Sequence, residues 1–273
     1  MIINNHISII GAGSMAESII KGLLRNHAVT NEQIRITNRS NNHRLTYLED
    51  HYGIYASRNI KEVISEADVI VVAIKPKDAL DGLEAIRPFI SQNQLLISVM
   101  AGVSTRFIEN VLKKAIPVIR SMPNTSSEIG RSATTLCKGA YVTSIHTQIT
   151  TQLFESIGTV TFVDEMQMDT TTAIAGSGPA YFYYIAEALH KAALMHGICE
   201  QDSRKLIAET LIGAGEMLKH SHLEIEQLRH NITSPGGTTA AGLQALHERN
   251  VDQAFISCIL EAAQRSREMK QGG

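Results

Sequence analysis

The stretch HNITSPGGTTAAGLQAL, at residues 230–246, combines residue types that suit the binding of an anion beside a reacting group. Gly236 and Gly237 leave the backbone bare, and Thr238 and Thr239 follow them where an apolar helical pattern begins. Bare N–H groups at the start of a helix attract a carboxylate, and threonine hydroxyls can donate to that carboxylate or to a reacting nitrogen. We therefore predict an anion pocket here.

An ordinary helix start is the alternative interpretation of this stretch. Ser234 would then be the N-cap and Pro235 the first helical residue, where the missing proline N–H has no cost. This alternative accounts for the serine and the proline. It does not account for the paired glycines, which weaken the first turn of a helix.

The second candidate site is IIGAGSMAESI, which follows a predicted strand and opens a predicted helix. Its Gly-x-Gly-x-x-Ala spacing also occurs in small-residue turns, but at this position it favours a dinucleotide-binding loop. The first glycine permits a tight turn, the second lets the backbone approach a pyrophosphate, and the alanine lets the helix pack on the strand. The predicted cofactor-binding residues are Gly11, Ala12, Gly13, Ser14, Met15 and Ala16.

The end of the second predicted strand, ITNRS, bears on which dinucleotide is bound. An NAD site is expected to have a carboxylate there for the ribose 2′-hydroxyl, whereas this chain has Asn38, Arg39 and Ser40. Arg39 can bind a 2′-phosphate, so the sequence favours NADP (NADPH), with NAD (NADH) as the second choice. A solvated loop arginine beside an asparagine helix cap is the alternative.

The loop AIKPKD follows the strand DVIVVAI, and ligands of a doubly wound sheet lie beyond the carboxyl ends of its strands. We therefore expect Ala73, Lys75 and Pro76 to face the cofactor. Lys75 could reach a phosphate or a ribose, and an ordinary surface lysine is the alternative.

The elements that must position these residues change in type near residue 165. Before it, runs rich in isoleucine and valine alternate with amphipathic stretches, which predicts a parallel sheet with helices on both faces. After it, the strand signal disappears and long helical patterns follow one another. The sequence thus predicts an α/β Rossmann-type doubly wound sheet over residues 1–164 and an all-helical domain over residues 165–273.

The composition of the 273 residues excludes several classes of protein. A hydrophobic content of 44% is typical of a globular chain, and a net charge of −2 argues against a nucleic-acid surface. No apolar run approaches the length of a membrane span, and the amino terminus shows no basic leader. Three cysteines without a CxxC pattern indicate a reduced protein, so we expect a cytoplasmic protein. From the charge and the apolar runs we expect no nucleic-acid or membrane partner.

Five segments together resemble the pyrroline-5-carboxylate reductase family: GAGSMA, AIKPKD, RSMPNT, GSGPAYFY and, above all, HNITSPGGTTAAGLQAL. The resemblance extends over nearly the whole chain in the expected order. It implies hydride transfer from NAD(P)H to the cyclic imine 1-pyrroline-5-carboxylate, which yields L-proline in the last step of proline biosynthesis. It also implies a Rossmann domain followed by an all-α carboxy-terminal dimerisation domain that interlocks with a second subunit.

The resemblance also assigns roles to individual residues. Thr239 matches the family's catalytic threonine, which hydrogen-bonds the ring nitrogen. Thr238, where some relatives carry alanine, matches a position that holds the carboxylate. The other substrate-binding residues that the resemblance implies are Glu165, Ser177, Ser234, Gly236 and Gly237, and the further cofactor-binding residues are Asn59, on the adenosine side, and Asn231.

This chemistry requires little of the protein beyond positioning. A protonated imine is already a strong electrophile, so a buried general acid with a tuned pKa is not obligatory. The nicotinamide C4 must instead be held against the imine carbon. The eleven histidines are scattered and no HExxH motif occurs, so we expect no metal site.

Alternative functions of two kinds are open. The 3-hydroxyacid dehydrogenases share the two-domain plan but need a lysine on the helix after the Rossmann domain, and residues 166–190 contain none. Reductases of other cyclic imines are closer competitors. A non-catalytic nucleotide-binding regulatory paralogue would be expected to have lost the SPGGTT pocket, which is intact.

The carboxy-terminal helices carry more apolar residues than a single face needs. The segments YFYYIAEAL and FISCIL are apolar beyond one stripe, and a helix that is apolar on more than one face is buried on more than one face. We therefore predict an obligate homodimer through this domain, which could stack into larger homo-oligomers.

Overall fold

The computed structural model describes residues 5–269. All eight described strands lie in one sheet, in the order β3-β2-β1-β4-β5-β6-β7-β8, and all neighbours are parallel except β6 and β7. The doubly wound sheet predicted from the sequence is confirmed. The strands are β1 (Ile7–Ile10), β2 (Ile34–Thr37), β3 (Tyr55–Ala56), β4 (Val69–Val72), β5 (Leu95–Ser98), β6 (Val118–Met122), β7 (Ser132–Lys138) and β8 (Gly158–Phe162).

In the first part of the chain the helices alternate with these strands along the sequence. After β8, the described residues up to 269 form helices and no further strand, as predicted. A π-helical turn at Thr172–Gly176 follows α7. Within residues 5–269, no helix is both long and apolar enough to cross a membrane. The helices are α1 (Ser14–Arg25), α2 (Asn42–Tyr52), α3 (Ile60–Ile64), α4 (Ala79–Ile86), α5 (Thr105–Leu112), α6 (Ser144–Glu155), α7 (Met168–Thr171), α8 (Gly178–Met195), α9 (Glu200–His220), α10 (Ile225–Asn231), α11 (Thr238–Glu248) and α12 (Val251–Glu268).

The central strands are buried on both faces of the sheet. Val69 and Val71 of β4 belong to one apolar cluster, and Ile70 and Val72 belong to the other. Successive side chains of a strand point to opposite faces, so the two clusters lie on opposite sides of the sheet. Burial on both faces explains why these strands have continuous apolar runs rather than alternating ones.

The antiparallel step between β6 and β7 follows from the short connection between them. A 3-10 turn at Thr125–Ile129 joins the two strands, and no helix intervenes. A parallel neighbour needs a crossover of a dozen or more residues, whereas a short connection reverses the chain. The reversal places Arg120 of β6 opposite Cys137 of β7.

Contacts divide the chain into two compact units. Unit 1 comprises residues 1–179 and 260–273, and unit 2 comprises residues 180–259. The sequence placed a single division between residues 164 and 165. The contact division differs because the segment after β8 packs on the sheet through Asp169, which also accepts a hydrogen bond from Ser266 of α12. Residues 1–4 and 270–273 of the two predicted domains lie outside the described residues.

Unit 2, taken by itself, has almost no interior. Among its residues, all of which the structure describes, only Ser203 is buried. Large apolar side chains are exposed instead, including Tyr184 at 75% and Met195 at 85%. A helical layer is stable when its apolar face packs against another layer, so these helices lack a covering partner within their own unit.

Candidate active site

The glycine loop lies where the strand order of the sheet reverses, between β1 and β4. Gly11 has a φ of +107°, and a Cβ on it would lie 2.5 Å from the backbone oxygen of Ala73. The Gly11 N–H donates to the Thr37 oxygen at 2.8 Å, and the Ala73 N–H donates to the Ile10 oxygen at 2.8 Å. The ends of β1, β2 and β4 therefore meet at the crevice where doubly wound sheets bind dinucleotides.

The start of α1 is open to solvent. Gly13 is the N-cap, and a Cβ built on it would meet no atom within 4 Å. Ser14 is exposed, whereas Ala16 is fully buried and Ala12 and Met15 pack partly buried against the core. The first N–H groups of a helix have no intrahelical partner, so this end can receive a diphosphate.

The loop after β2 is shaped by Asn38. Its Oδ1 accepts from the N–H groups of Ser40 at 3.1 Å and Asn41 at 2.9 Å, and its Nδ2 donates to the Asn41 oxygen at 2.8 Å. The Arg39 side chain is 79% exposed and lies 3.7 Å from the equally accessible carboxylate of Asp81. Asn38 thus holds the loop in shape, and Arg39 stays accessible to a ligand.

Arg58 is a residue that the sequence analysis missed. It follows β3, which pairs with β2, and its Nη2 donates to the Arg39 backbone oxygen at 3.0 Å. Asn59 caps α3: its Oδ1 accepts from the Lys61 N–H at 3.2 Å, and its Nδ2 donates to Glu62 at 2.8 Å. Two guanidinium groups therefore lie beside the loop after β2. The second one escaped detection because β3 has only two residues.

The loop after β4 contributes its proline to a small cavity. Lys75 is exposed and is the N-cap of the 3-10 turn Pro76–Asp78. A cavity of about 120 Å³ is lined by Pro76 on this side and by Gly102 and Val103, which follow β5, on the other. Lys75 does not line that cavity.

Glu165 is engaged by a buried arginine that the sequence analysis did not single out. Its Oε1 lies 2.7 Å from Arg120 Nη1, and its Oε2 accepts from the Thr105 hydroxyl at 2.8 Å and the Thr105 N–H at 3.2 Å. Burial raises the pKa of Glu165, but the hydrogen bonds from Arg120 and Thr105 outweigh burial and hold the pKa below its ordinary value. The carboxylate is therefore a fixed negative charge.

The thiol of Cys137 contacts the carboxylate of Glu165. Its Sγ is 3.7 Å from Glu165 Oε2. Burial, followed by the negative charge of Glu165, raises the pKa of Cys137 to about 12. The thiolate that a nucleophilic cysteine needs is therefore scarce at neutral pH.

Ser177 lies at the end of the π-helical turn, directly before α8. Its N–H donates to the Thr172 oxygen at 2.9 Å. The turn is anchored to the loop after β6, because Asn124 Nδ2 donates to the Ala175 oxygen at 3.0 Å. Asn124 belongs to the RSMPNT segment, so that segment shapes the chain just before Ser177.

The helix start in unit 2 differs from the one that the ordinary helix-start interpretation of SPGGTT predicts. Gly237, and not Ser234, is the N-cap, and α11 begins at Thr238. Gly236 has a φ of +68°, and a Cβ on Gly237 would lie 2.4 Å from Ser234 Oγ. Gly236 is therefore needed for the turn, whereas a side chain at position 237 would require the Ser234 hydroxyl to move. Thr238 is exposed and Thr239 is partly exposed, both in the first turn of the helix, where backbone N–H groups have no intrahelical partner.

The predicted site residues fall into two groups. Unit 2 contains the SPGGTT residues and Asn231, the last residue of α10, whose Oδ1 accepts from Gln227 at 2.7 Å. Unit 1 contains Glu165, Ser177 and the remaining predicted cofactor-binding residues. Among the residues that the structure describes, no group of three or more His, Cys, Asp and Glu residues could hold a metal ion.

Two protein-family models match two parts of the chain. Residues 6–102 match the family model described as NADP oxidoreductase, coenzyme F420-dependent. Residues 165–269 match the family model described as pyrroline-5-carboxylate reductase dimerisation.

Comparison with individual proteins covers nearly the full length. Pyrroline-5-carboxylate reductase 1 of Bacillus subtilis is 46% identical over 97% of this chain and 89% of its own. The crystal structure of Plasmodium falciparum pyrroline carboxylate reductase with NADP bound matches with a TM-score of 0.91 and 28% identity, over 99% of this chain and 100% of the other. The structure of a pyrroline-5-carboxylate reductase from Coxiella burnetii matches with a TM-score of 0.86 and 33% identity, over 98% and 99%.

Proposed function

The chain belongs to the pyrroline-5-carboxylate reductase family, and on this premise we propose that it reduces 1-pyrroline-5-carboxylate to L-proline with NAD(P)H. The observation that carries the proposal is the start of α11. There Gly236 turns the chain through positive φ, and Gly237 caps a helix that opens with Thr238 and Thr239. The substrate presents a carboxylate and a ring nitrogen, which are the two groups that such a helix start can receive.

Each residue of that helix start has a proposed part in the reaction. Thr239 donates its hydroxyl to the ring nitrogen and is the proposed catalytic residue. Thr238 and the backbone beside Gly237 hold the substrate carboxylate, and Ser234 and Gly236 keep the turn in shape.

Two residues of unit 1 are proposed as further substrate-binding residues, namely Glu165 and Ser177. The carboxylate of Glu165 is held ionised by Arg120 and Thr105, and a fixed negative charge favours the protonated form of an imine. A protonated imine accepts a hydride more readily than the neutral one.

The cofactor supplies the hydride from its nicotinamide ring, and the residues around the glycine loop fit a dinucleotide. The open start of α1 at Gly13 suits the diphosphate. We favour NADPH over NADH because Arg39 and Arg58 lie beside the loop after β2, and residues 38–40 include no carboxylate. The remaining proposed cofactor-binding residues are Gly11, Ala12, Ser14, Met15, Ala16, Asn38, Ser40, Asn59, Ala73, Lys75, Pro76 and Asn231.

The assembly that we propose is a homodimer through the helical domain. The support is the exposed apolar surface of unit 2 together with the match to a dimerisation family model. We also propose a cytoplasmic location, because the three cysteines are free thiols.

The experiment that tests the function follows NADPH and NADH oxidation at 340 nm with pyrroline-5-carboxylate as substrate and identifies the product as proline. The six-membered homologue of the imine serves as the comparison substrate. Activity should survive EDTA treatment. Turnover of the six-membered imine alone would show that the protein is a reductase of a different imine. Cofactor binding without turnover of either imine would indicate a regulatory paralogue.

A further inference from the structure

Arg44 lies on α2, outside the glycine-loop motif, and its side chain contacts that loop. Its Nε–H donates to the backbone oxygen of Ala12 at 2.9 Å. The Ala12 carbonyl and the Gly13 N–H belong to one planar trans peptide, so they point in opposite directions. A bond that pulls the carbonyl toward Arg44 therefore aims the Gly13 N–H away from Arg44. Gly13 itself is exposed, and a Cβ built on it would meet no atom within 4 Å.

The same guanidinium forms an ion pair with Glu17, which lies in the first turn of α1. The Tyr52 hydroxyl also donates to Glu17, at 3.0 Å. Burial raises the pKa of Glu17, but the bonds from Arg44 and Tyr52 outweigh it, so the pKa lies below its ordinary value and the carboxylate stays charged. An unpaired carboxylate one turn from Gly13, roughly 6 Å along the helix axis, would repel a diphosphate bound there.

The guanidinium is itself held in place. Arg44 Cζ lies 5.1 Å from the centre of the Tyr47 ring, one turn along α2, and the Arg44 side chain is only 25% exposed. The Arg44 guanidinium thus has three contacts, with the Ala12 carbonyl, the Glu17 carboxylate and the Tyr47 ring. The side chain of Arg39, in contrast, is 79% exposed.

From these contacts we infer that Arg44 is a positioning residue for the cofactor: it orients the Ala12–Gly13 peptide toward the diphosphate and neutralises Glu17 beside it. The inference rests on the proposed dinucleotide cofactor and not on the imine substrate. It separates two arginines by function, with Arg39 serving the 2′-phosphate and Arg44 the diphosphate that NADPH and NADH share.

The test measures dissociation constants by the fluorescence of bound NADPH and NADH, without turnover. Arg44→Met should raise both constants by the same factor, roughly ten-fold or more, as expected for a lost charge-assisted hydrogen bond. The affinity of 2′-AMP, which has no diphosphate, should stay unchanged when it displaces NADPH. Glu17→Gln added to Arg44→Met should recover part of the loss, because it removes the unpaired carboxylate.

Arg35 provides a matched control, since it also pairs with a carboxylate, Glu66, and lies 5.5 Å from a tyrosine ring, that of Tyr55. Arg35→Met should leave both dissociation constants unchanged. Arg44→Lys, which keeps the charge, is a second variant if Arg44→Met melts below the assay temperature, and it should lose less affinity.

Three outcomes for Arg44→Met overturn the inference. The first is that the dissociation constants of NADPH and NADH do not change. The second is a loss of affinity for NADPH alone, which would make Arg44 a 2′-phosphate ligand, and the third is an equal loss of affinity for 2′-AMP, which would indicate general damage. A chain that binds the dinucleotide as described but turns over no imine would fail the proposed function and still support this inference.

Discussion

Arg120 and Asp169 form a fully buried ion pair, with Arg120 Nη2 3.1 Å from Asp169 Oδ1 and side-chain exposures of 0% and 3%. The other terminal nitrogen of the guanidinium binds Glu165 at 2.7 Å, and Ser266 Oγ donates to Asp169 at 2.9 Å. One cation in β6 therefore joins the segment after β8 and the end of α12.

Removing this cation should strongly destabilise unit 1. Arg120→Met leaves a buried carboxylate without its partner, which costs ~3–5 kcal/mol of unfolding free energy. Urea denaturation measures the loss. Lys21→Met is the control, because its pair with Glu128 is exposed by 48% and 38% and should contribute less than ~1 kcal/mol. A loss for Arg120→Met as small as that of the control would contradict the prediction.

Stability should fall in acid partly through Glu165. Its folded pKa lies below the ordinary value of 4.5, despite burial, because Arg120 and Thr105 donate to it. A group whose pKa is lowered by folding stabilises the fold above its unfolded pKa, and that contribution is lost as the pH falls through the folded pKa. Urea denaturation from about pH 6 to pH 3 should show a shallower acid loss for Glu165→Gln than for the original chain. Equal slopes would show that Glu165 titrates alike in both states.

Arg39→Glu should impair the use of NADPH far more than that of NADH. The substitution replaces an accessible cation with a charge that repels the 2′-phosphate, which NADH lacks. Comparison of kcat/KM for the two cofactors measures the selectivity. Arg58→Glu should shift it in the same direction. An equal loss with both cofactors would mean that Arg39 does not read the phosphate.

Thr239→Ala should lower kcat and kcat/KM together, because its hydroxyl is proposed to bind the ring nitrogen more strongly in the transition state than in the ground state. A lost hydrogen bond of ~1.5–3 kcal/mol corresponds to a drop of roughly ten- to a hundred-fold. Thr239→Ser should recover much of the rate. Thr238→Ala should mainly raise KM, since the carboxylate changes little during hydride transfer. The reverse pattern would exchange the roles of the two threonines.

The helical domain should hold two chains together at low micromolar concentration. Tyr184, 75% exposed within the single chain, lies on a helix with no covering layer, so Tyr184→Arg should weaken the dimer in analytical ultracentrifugation. Tyr141→Arg is the control, because Tyr141 is also exposed, at 48%, but lies in unit 1. A stable and active monomer of the original chain would refute the proposed assembly.

The sequence alone determined the parts of this protein that depend on neighbouring residues. The alternation of strands and helices before residue 165 and the glycine loop at Gly11 and Gly13 could be predicted, because apolar periodicity and turn geometry are local properties of the chain. The same holds for the helical character after residue 165. The short strand β3 escaped, since two residues are too few to show a period.

Only the tertiary structure decided which distant groups meet. Arg120 lies 45 residues from Glu165 and 49 from Asp169, so no spacing along the chain indicates that one buried cation binds both carboxylates. The contact of Arg44 with Ala12 spans 32 residues in the same way. The sequence offered Ser234 as the cap of α11, whereas the structure places the cap at Gly237, after the turn that Gly236 makes through positive φ. Buried charges must find partners wherever the fold brings them, and folding, not sequence distance, selects those partners.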